Sequence, residues 1–440
     1  MTRGGVDPGL PVRTPSGAAG GVDVASLLSG ILAAVDPEAR VREALAAAAP
    51  GAPGGALFAL GKAAGPLARG ALAALPEPPR RILVVRPHDA PALGRGDAEE
   101  LTGGHPLPDG GSLAAGRRLV AWLGSLAPGD DLLALVSGGG SACLELPAGG
   151  LDLADLVATQ RALLASGLAI DAVNAVRRHL SAVKGGGALV RAPGAVRVLY
   201  LSDVPGDDPA TVASGPFAAD PTTFADALAA VSGLAVPAAV RRHLEAGARG
   251  ELAETLKPGD PAAGRARHEL LAGNATAVAA AAGMLARRGF RVVTGSLAGD
   301  AREAGEALVA RGRSLEGSPA ALVLGGETTV RLDPPPPATA RGGRNQELAL
   351  AAARALAGGG RGAGEVVVAL ATDGVDGPTP AAGAMVDPTT WERLREAGAE
   401  PEGALAGHDA HTALARLPGA LLRTGPTGTN VADVAVYLRW

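Results

Sequence analysis

The feature that most constrains the fold is a repeated pattern of short apolar runs, each ending in a loop rich in glycine or aspartate. The runs occupy residues 82–85, 132–136, 198–201, 321–324 and 366–370, and segments with helical spacing separate them. Near-continuous apolar strands that alternate with helices are typical of parallel sheets covered by helices on both faces. The pattern predicts an α/β fold with mainly parallel sheets and with ligands bound beyond the carboxyl ends of the strands.

The chain is longer than one hydrophobic core usually supports. Its 440 residues predict two domains, each with a sheet between two layers of helices. The aperiodic, Gly/Pro-rich residues 1–22 are expected to form a disordered tail, and the sequence KPGDPAAGR at residues 257–265 is typical of a linker. We therefore predict a Rossmann-like α/β domain at residues 23–257 and a second α/β domain at residues 265–440.

Composition and charge exclude several classes of function. The net charge is −4 and there is no long basic run, so nucleic-acid binding has no electrostatic footprint. No apolar run has the length of a membrane span, and the N-terminal residues contain no apolar signal-peptide core. The single cysteine, Cys143, suits a reducing compartment. We expect a cytoplasmic protein without nucleic-acid or membrane partners; a homodimer is compatible with the sequence, which carries no signal for oligomeric state.

The loop SGGGS, Ser137 to Ser141, follows the strand predicted at residues 132–136. A dinucleotide fingerprint, Gly-x-Gly-x-x-Gly, fails here because Cys143 stands where the third glycine is required. A hydrolase elbow, Gly-x-Ser-x-Gly around Ser141, fails at the same cysteine. Bare backbone amides that lead into a helix remain a good cradle for an anion, and a tight strand–helix turn is the alternative that the loop alone leaves open.

Lys62 follows another apolar run and is one of few lysines. Among 40 basic residues only three are lysines, at positions 62, 184 and 257. The stretch around Lys62 is not a Walker loop, because Ala63 replaces the Ser/Thr that would bind magnesium. In a chain that otherwise uses arginine, a lysine at a strand–helix junction indicates contact with a phosphate or carboxylate group, although a solvated surface lysine is the simpler alternative.

Two loops at predicted strand ends carry aspartates. Asp203, Asp207 and Asp208 follow one strand, and Asp373 and Asp376 follow another. Carboxylates at strand ends can bind Mg²⁺, which uses one or two of them together with phosphate oxygens. They can also accept a hydroxyl proton, or simply form turns.

Arg344 begins a further predicted helix within the sequence RGGRNQE. An arginine beside the free amides of a helix start offers a planar fork for carboxylate or phosphate. It adjoins Asn345, one of four asparagines in the chain, and Gln346, one of two glutamines. His408 and His411 lie in no metal-binding pattern, and we place both at the surface or behind the site.

Together these motifs resemble one family, the glycerate 2-kinases with an N-terminal glycerate-kinase region and a C-terminal MOFRL region. The resemblance spans nearly the whole chain after the tail. It rests on GKAAGPLA (61–68), GGHPLPDGGS (103–112), SGGGSACLELP (137–147), NAVRRHLSAVKGG (174–186), SDVPGDDPATVASGP (202–216), LGGETTV (324–330), GGRNQELAL (342–350), ATDGVDGPTPAAGA (371–384) and TGPTGTN (424–430).

The resemblance implies transfer of the γ-phosphoryl group of ATP to the 2-hydroxyl of D-glycerate, with Mg²⁺, in a cleft between two α/β domains. Lys62 and Arg344 match basic residues that the family needs for activity. The chain departs from the family at residues 408–412, which leaves any substrate contact there unassigned.

These considerations give a set of expected site residues. Lys62, Arg344, Asp203 and Asp373 are the predicted catalytic residues, and Asp203 and Asp373 are also the predicted metal ligands. The predicted nucleotide-binding residues are Ser137, Gly138, Gly139, Gly140, Ser141, Asp207, Glu327, Asn345 and Asn430.

Three other functions stay open on the sequence alone. Pocket shape could make the chain a kinase for another small hydroxy acid. Some relatives have been labelled hydroxypyruvate reductases, but a reductase needs a nicotinamide site, and no Gly-x-Gly-x-x-Gly follows any predicted strand. A metabolite-binding regulator on the same scaffold would bind ligands without turnover.

Overall fold

The structure is a computed structural model that describes residues 22–47, 55–332, 335, 337–358 and 364–440. The tail predicted at residues 1–22 lies outside the described residues except for Val22. The chain divides into two compact units. We call Pro37–Leu271 the N-terminal unit, and Ala272–Trp440 with the segment up to Asp36 the C-terminal unit.

The N-terminal unit alternates strands and helices. Its helices are α2 (Pro37–Ala46), α3 (Ala64–Ala74), α4 (Gly110–Leu123), α5 (Gly140–Cys143), α6 (Leu153–Ala165), α7 (Ile170–His179), α8 (Gly187–Arg191), α9 (Phe224–Ala230) and α10 (Ala238–Ala248), with short 3-10 turns at Val212–Ser214 and Ala263–Arg265. Its strands are β1 (Ala56–Leu60), β2 (Arg81–Pro87), β3 (Glu99–Gly103), β4 (Leu132–Val136), β5 (Val196–Leu201) and β6 (Ala266–Ala272).

The first sheet has the strand order β3-β2-β1-β4-β5-β6. The pairs β1–β2, β1–β4, β2–β3 and β4–β5 are all parallel, as predicted. This is the order of a doubly wound sheet, in which the chain reverses its direction of travel across the sheet between the first and fourth strands. The carboxyl ends of β1 and β4 therefore flank the crevice where such sheets bind ligands.

Every residue of β1 and β4 is buried. Because successive residues of a strand point to opposite faces, this sheet must be covered on both faces. Phe58 of β1 faces α4, where its ring lies 6.4 Å from that of Trp122. Helix α3 contacts β1, β2 and β4 and buries Leu67. The continuous apolar strands thus lie in the middle of three layers, as their sequences indicate.

The C-terminal unit contains the remaining elements. Its helices are α1 (Val24–Ala34), α11 (Asn274–Ala286), α12 (Ala301–Arg313), α13 (Arg344–Ala357), α14 (Thr390–Glu396), α15 (Pro401–Ala406) and α16 (Ala410–Leu414). Its strands are β7 (Arg291–Leu297), β8 (Ala320–Gly326), β9 (Glu365–Ala371), β10 (Gly383–Val386), β11 (Leu421–Leu422) and β12 (Asp433–Arg439).

The second sheet has the order β11-β10-β9-β12-β8-β7 and corrects the prediction of mainly parallel sheets. Only β7 and β8 pair in parallel; β12 runs antiparallel between β8 and β9, and β10 runs antiparallel to both β9 and β11. The apolar runs that predict β8 and β9 indicate that these strands are buried on both faces, but burial does not determine the direction of a neighbour. The last strand, β12, inserts between them and makes the sheet mixed.

This sheet is also the middle layer of three. Leu322 and Leu324 of β8 pack into a core with α12 and α13. Successive strand residues point to opposite faces, and a Cβ atom placed on Gly325 would lie 2.4 Å from a methyl group of Val278 in α11. Helix α11 therefore covers the opposite face. No helix of the described residues is long and apolar enough to cross a membrane.

The units differ from the predicted domains at two places. Helix α1 packs against α11, with Gly30 facing Met284, so the segment before Asp36 clusters with the C-terminal unit. The first domain was expected to end at residue 257, yet β6 beyond it still pairs in the first sheet. Glu269 of β6 accepts a 2.8 Å hydrogen bond from Arg197. This edge strand contains polar residues, so a search for continuous apolar runs does not detect it.

Gly61, directly after β1, allows a close approach between two loops of the first sheet. Its φ is +104°, and a Cβ atom at this position would lie 2.4 Å from the carbonyl oxygen of Ser137. Gly129 has a similar φ of +89° but open space around its Cα. Both positions would strain an alanine in the left-handed conformation, but only at Gly61 would its Cβ atom also overlap a neighbour. Comparing the two alanine variants therefore isolates the free-energy cost of the overlap.

We expect Gly61→Ala to melt about 3–10 °C below Gly129→Ala, because overlap with Ser137 adds about 1–3 kcal/mol to a conformational cost that both variants share. Differential scanning calorimetry of both proteins measures this difference. Equal melting temperatures would show that the two loops separate without cost, and that their contact at Gly61 is not tightly packed.

Candidate active site

The loops after β1 and β4 are joined through Ser137. Its amide and its hydroxyl both donate to the carbonyl of Leu60, at 2.9 and 3.2 Å, and the hydroxyl accepts from the amide of Ala63 at 3.0 Å. The amide of Lys62 in turn donates to the carbonyl of Gly138 at 2.9 Å. Ser137 is fully buried. Neither its amide nor its hydroxyl is available for the predicted phosphate contact, which leaves Gly138 to Ser141 for that role.

The loop from Ser137 to Ser141, which we call the glycine loop, lies against two of the predicted catalytic residues. A Cβ atom on Gly138 would lie 1.9 Å from Oδ2 of Asp203, and one on Gly139 would lie 2.9 Å from Cγ of Lys62. Any larger residue at Gly138 would displace the carboxylate. The structure therefore brings Lys62 and Asp203 to the same short loop, at the carboxyl ends of β1 and β4.

Asp207 and Asp208 belong to the turn that follows Asp203. Asp208 accepts a 2.9 Å hydrogen bond from the amide of Ala210, which is local turn chemistry. Asp207 has a left-handed φ of +54°, and its carbonyl accepts a 2.9 Å hydrogen bond from the hydroxyl of Tyr200. This anchors the backbone of the turn, and the predicted nucleotide contact of Asp207 stays a prediction.

In the C-terminal unit, Arg344 is held by two acidic residues. Its Nε and one terminal nitrogen bind the two carboxylate oxygens of Asp433 at 2.5 and 3.0 Å, and its other terminal nitrogen pairs with Glu327. Burial raises the pKa of Asp433 to about 6, although Arg344 pulls in the opposite direction. The hydrogen bonds that Arg344 donates to Asp433 hold the pKa of Arg344 above its ordinary value, despite the burial of the guanidinium group. Glu327 thus serves as an ion-pair partner.

The start of α13 is capped by Asp376. Its carboxylate accepts from the amides of Asn345 and Gln346 at 3.0 and 2.9 Å, and from the Gln346 side chain at 2.8 Å. A Cβ atom on Gly343 would collide with this carboxylate. Asn345 is fully buried, and its side chain also lies 3.3 Å from Asp376. The structure places Asn345 in the capping network that orients Arg344, not on a surface open to a nucleotide.

Asp373 and Asn430 lie in two loops that meet at one end of the second sheet. The carboxylate of Asp373 accepts from the amide of Val375 at 3.1 Å, and its carbonyl accepts from the amide of Thr427 at 3.2 Å. The side chain of Asn430 accepts from the amide of Ala432 at 3.3 Å. Both residues are half-buried, and both remain candidates for ligand contact.

His408 and His411, which lie where the sequence departs from the family pattern, both contact side chains of α13. His411 lies 2.7 Å from the side-chain oxygen of Gln346, and His408 lies 3.0 Å from buried Glu347. Both therefore support the helix that begins at Arg344, in agreement with their expected position at the surface or behind the site.

Asp433 is the functional candidate that sequence reasoning missed. It is the first residue of β12 and is almost completely buried. The available signal was an acidic residue directly before the apolar run VAVYL, which is unusual at a buried strand position unless the charge is paired. Among the described residues, no three His, Cys, Asp or Glu side chains form a cluster that could hold a metal ion by themselves.

Two family models match the chain. One is described as a domain of unknown function, DUF4147, and covers residues 23–245; the other is the MOFRL family and covers residues 320–433. Glycerate 2-kinase from Pyrococcus horikoshii is 40% identical over 76% of each chain. A protein of Agrobacterium vitis with the provisional name hydroxypyruvate reductase is 41% identical over 86% of this chain and 85% of its own.

A solved structure is also similar over nearly the full length. The crystal structure of glycerate kinase from Thermotoga maritima is 36% identical, with a TM-score of 0.80, and the match covers 94% of this chain and 97% of the other. A TM-score of this size shows that the two chains share one fold. On the strength of these similarities, the chain belongs to the glycerate 2-kinase family of phosphotransferases, with an N-terminal DUF4147 region and a C-terminal MOFRL region.

Proposed function

We propose that this protein transfers the γ-phosphoryl group of ATP to the 2-hydroxyl of D-glycerate, giving 2-phosphoglycerate, with Mg²⁺. The observation that carries the proposal is the meeting of Lys62 and Asp203 at the glycine loop after β4. A cation, a carboxylate and bare amides at one strand end are the groups that phosphoryl transfer needs, because its catalysis is mostly positioning and charge neutralisation. The names of the glycerate kinase relatives supply the substrate.

The glycine loop and Lys62 are assigned to the phosphates. The backbone amides of Gly138 to Ser141 can approach phosphate oxygens closely because three of these four residues have no side chain. Lys62 adds a point charge that neutralises the transferred group as negative charge builds up on its oxygens.

The carboxylates of Asp203 and Asp373 are assigned to Mg²⁺ and to the proton of the attacking hydroxyl. Mg²⁺ takes one or two protein carboxylates together with phosphate oxygens and water. The Asp203 carboxylate at Gly138 is a hard oxygen donor of the kind that this ion prefers. When bound, Mg²⁺ would offset the charge of the triphosphate.

Arg344 is assigned to the substrate carboxylate or to the transferred phosphoryl group. A guanidinium group has five N–H donors, and its contacts with Asp433 and Glu327 use only part of them. The bidentate bridge to Asp433 fixes the plane of the fork, so the remaining donors point in a defined direction. Preorganised donors of this kind stabilise developing charge without reorganisation.

A reductase is the second candidate, because a close relative carries that provisional name. A nicotinamide site needs a glycine fingerprint, and in the loop after β4 the residue at the third glycine position is Cys143, which is buried. The phosphotransferase therefore has the better support. A donor such as ATP also fits the cytoplasm, where we place the reaction.

We expect the purified protein to release ADP from Mg-ATP only when D-glycerate is present, and Lys62→Met to lower kcat by about 10²–10³-fold with an unchanged melting temperature. Lys257→Met is the matched control, since this lysine pairs with Glu254 away from the loop, and it should retain normal turnover. A coupled ADP assay measures both. Normal turnover of Lys62→Met would refute the assignment.

The pKa of Asp433, raised to about 6 by burial, predicts a pH dependence. Above pH 6 the carboxylate of Asp433 is ionised and accepts two hydrogen bonds from Arg344. As the pH falls through about 6 the carboxylate takes up a proton and the ion pair with Arg344 weakens. Below this pH, kcat/KM should therefore fall by about tenfold per pH unit. Asp433→Asn should lower kcat/KM at pH 8 and abolish this acid limb, whereas Glu327→Gln should retain it. A limb that persists in Asp433→Asn would assign it to another group.

A further inference from the structure

Four side chains form a hydrogen-bonded chain that ends at Ser141 in the glycine loop. A terminal nitrogen of Arg177 lies 3.3 Å from Oδ1 of Asn174, and the hydroxyl of Ser214 lies 2.9 Å from the same oxygen. The Ser214 hydroxyl lies 2.8 Å from that of Ser141. Asn174 and Ser214 are almost completely buried, so these contacts are sheltered from water.

The orientation of the Asn174 amide follows from its two fixed neighbours. Arg177 can only donate, so it must face the amide oxygen. The carbonyl of Thr211 can only accept, and it lies 3.4 Å from the amide nitrogen. Rotating the amide would set donor against donor at one end and acceptor against acceptor at the other, so one orientation satisfies both neighbours.

This orientation sets the direction of every bond in the chain. Oδ1 of Asn174 carries no hydrogen, so Ser214 must donate its single hydroxyl proton to it. Ser214 can then only accept from Ser141, which commits the proton of Ser141 as well. Toward any ligand, the Ser141 hydroxyl therefore presents lone pairs alone, and it can accept a hydrogen bond but not donate one.

The backbone around Ser214 is strained. Ala213 and Ser214 both have left-handed φ values, of +51° and +58°. A residue other than glycine adopts this conformation only at a cost in free energy. Strain of this kind persists where the surrounding structure requires it and concentrates at functional sites. Here the left-handed backbone places the Ser214 hydroxyl between Ser141 and Asn174.

Ser141 also lines a small cavity with an excess of positive charge. The cavity measures about 20 Å³, room for roughly one water-sized group. Arg177 and Lys184 face it, while Glu145, which pairs with Lys184, is the one carboxylate among its lining residues. Two cations against one anion favour a negatively charged ligand nearby and disfavour a metal ion. A hydroxy acid fits both properties, because its carboxylate is attracted to the two cations and its uncharged hydroxyl group is small enough for the cavity.

We infer that Ser141 accepts a hydrogen bond from the hydroxyl of the hydroxy acid that is not phosphorylated, the 3-hydroxyl in D-glycerate, and thereby sets substrate specificity. The inference rests on the proposed kinase function. Ser141 is a recognition residue and not a base, because the hydroxyl protons are donated from Ser141 through Ser214 to Asn174, and the amide of Asn174 cannot take up a proton.

The test compares D-glycerate with D-lactate, which has the 2-hydroxyl but not the 3-hydroxyl. Ser141→Ala should raise the KM for D-glycerate by about tenfold, the worth of one hydrogen bond. Because alanine keeps the backbone amide that we assign to the phosphates, the KM for ATP should not change, and neither should the inhibition constant of D-lactate. Ser166→Ala is the matched control, since the Ser166 hydroxyl bonds the carbonyl of Leu163 at the end of α6. It should behave like the parent protein.

A second variant keeps the inference testable if Ser141→Ala folds poorly. Ser214→Ala retains the Ser141 hydroxyl but frees its proton, so it should raise the KM for D-glycerate without changing the inhibition constant of D-lactate. The double variant should have a KM for D-glycerate no higher than that of Ser141→Ala. An unchanged KM for D-glycerate, an equal loss for both acids, or a loss confined to ATP would overturn the inference. A parent protein that does not phosphorylate D-glycerate at all would instead refute the proposed function.

Discussion

The structure of the site depends on the hydrogen bonds of Ser137 to the end of β1. One buried residue joins the loops after β1 and β4 through its amide and both capacities of its hydroxyl. The join is tight enough that a Cβ atom on Gly61 would overlap the carbonyl oxygen of Ser137. As a result Lys62 and the three glycines occupy fixed positions at the switch point of a doubly wound sheet, the place where this architecture binds ligands. Asp203 reaches the same place from the end of β5.

The C-terminal unit fixes its arginine by different means. Asp376 caps α13 by accepting from two of its first amides, and buried Asp433 holds Arg344, the first residue of that helix, from the side. Burying Asp433 is unfavourable, as its raised pKa shows. A cost of this kind is expected where a charged group must be held in one orientation. In both units, buried polar groups support the side chains that we assign to phosphoryl transfer.

The sequence predicted the inner strands of the first sheet because their apolar runs are buried on both faces. It did not predict the two edge strands, β3 and β6, since their residues are partly exposed and leave no continuous apolar run. It did not predict the second sheet, since the direction of β12 depends on where the end of the chain returns and not on apolar pattern. Spacing located Lys62, Asp203 and Arg344 at strand or helix ends. It could not show that Ser137 is hydrogen-bonded to Leu60, that Asn345 is buried against Asp376, or that Asp433 supports Arg344. Those contacts join residues that are 77, 31 and 89 positions apart.

Product identification by ³¹P NMR tests phosphoryl transfer to the 2-hydroxyl of D-glycerate most directly. If the reaction is as proposed, Mg-ATP and D-glycerate give ADP and one phosphomonoester, whose phosphorus couples to the single proton on C2 and not to a CH₂ group. Coupling to a CH₂ group would place the phosphate on the 3-hydroxyl. The absence of any phosphomonoester, with oxidation of NADH by hydroxypyruvate instead, would contradict kinase activity and favour the reductase.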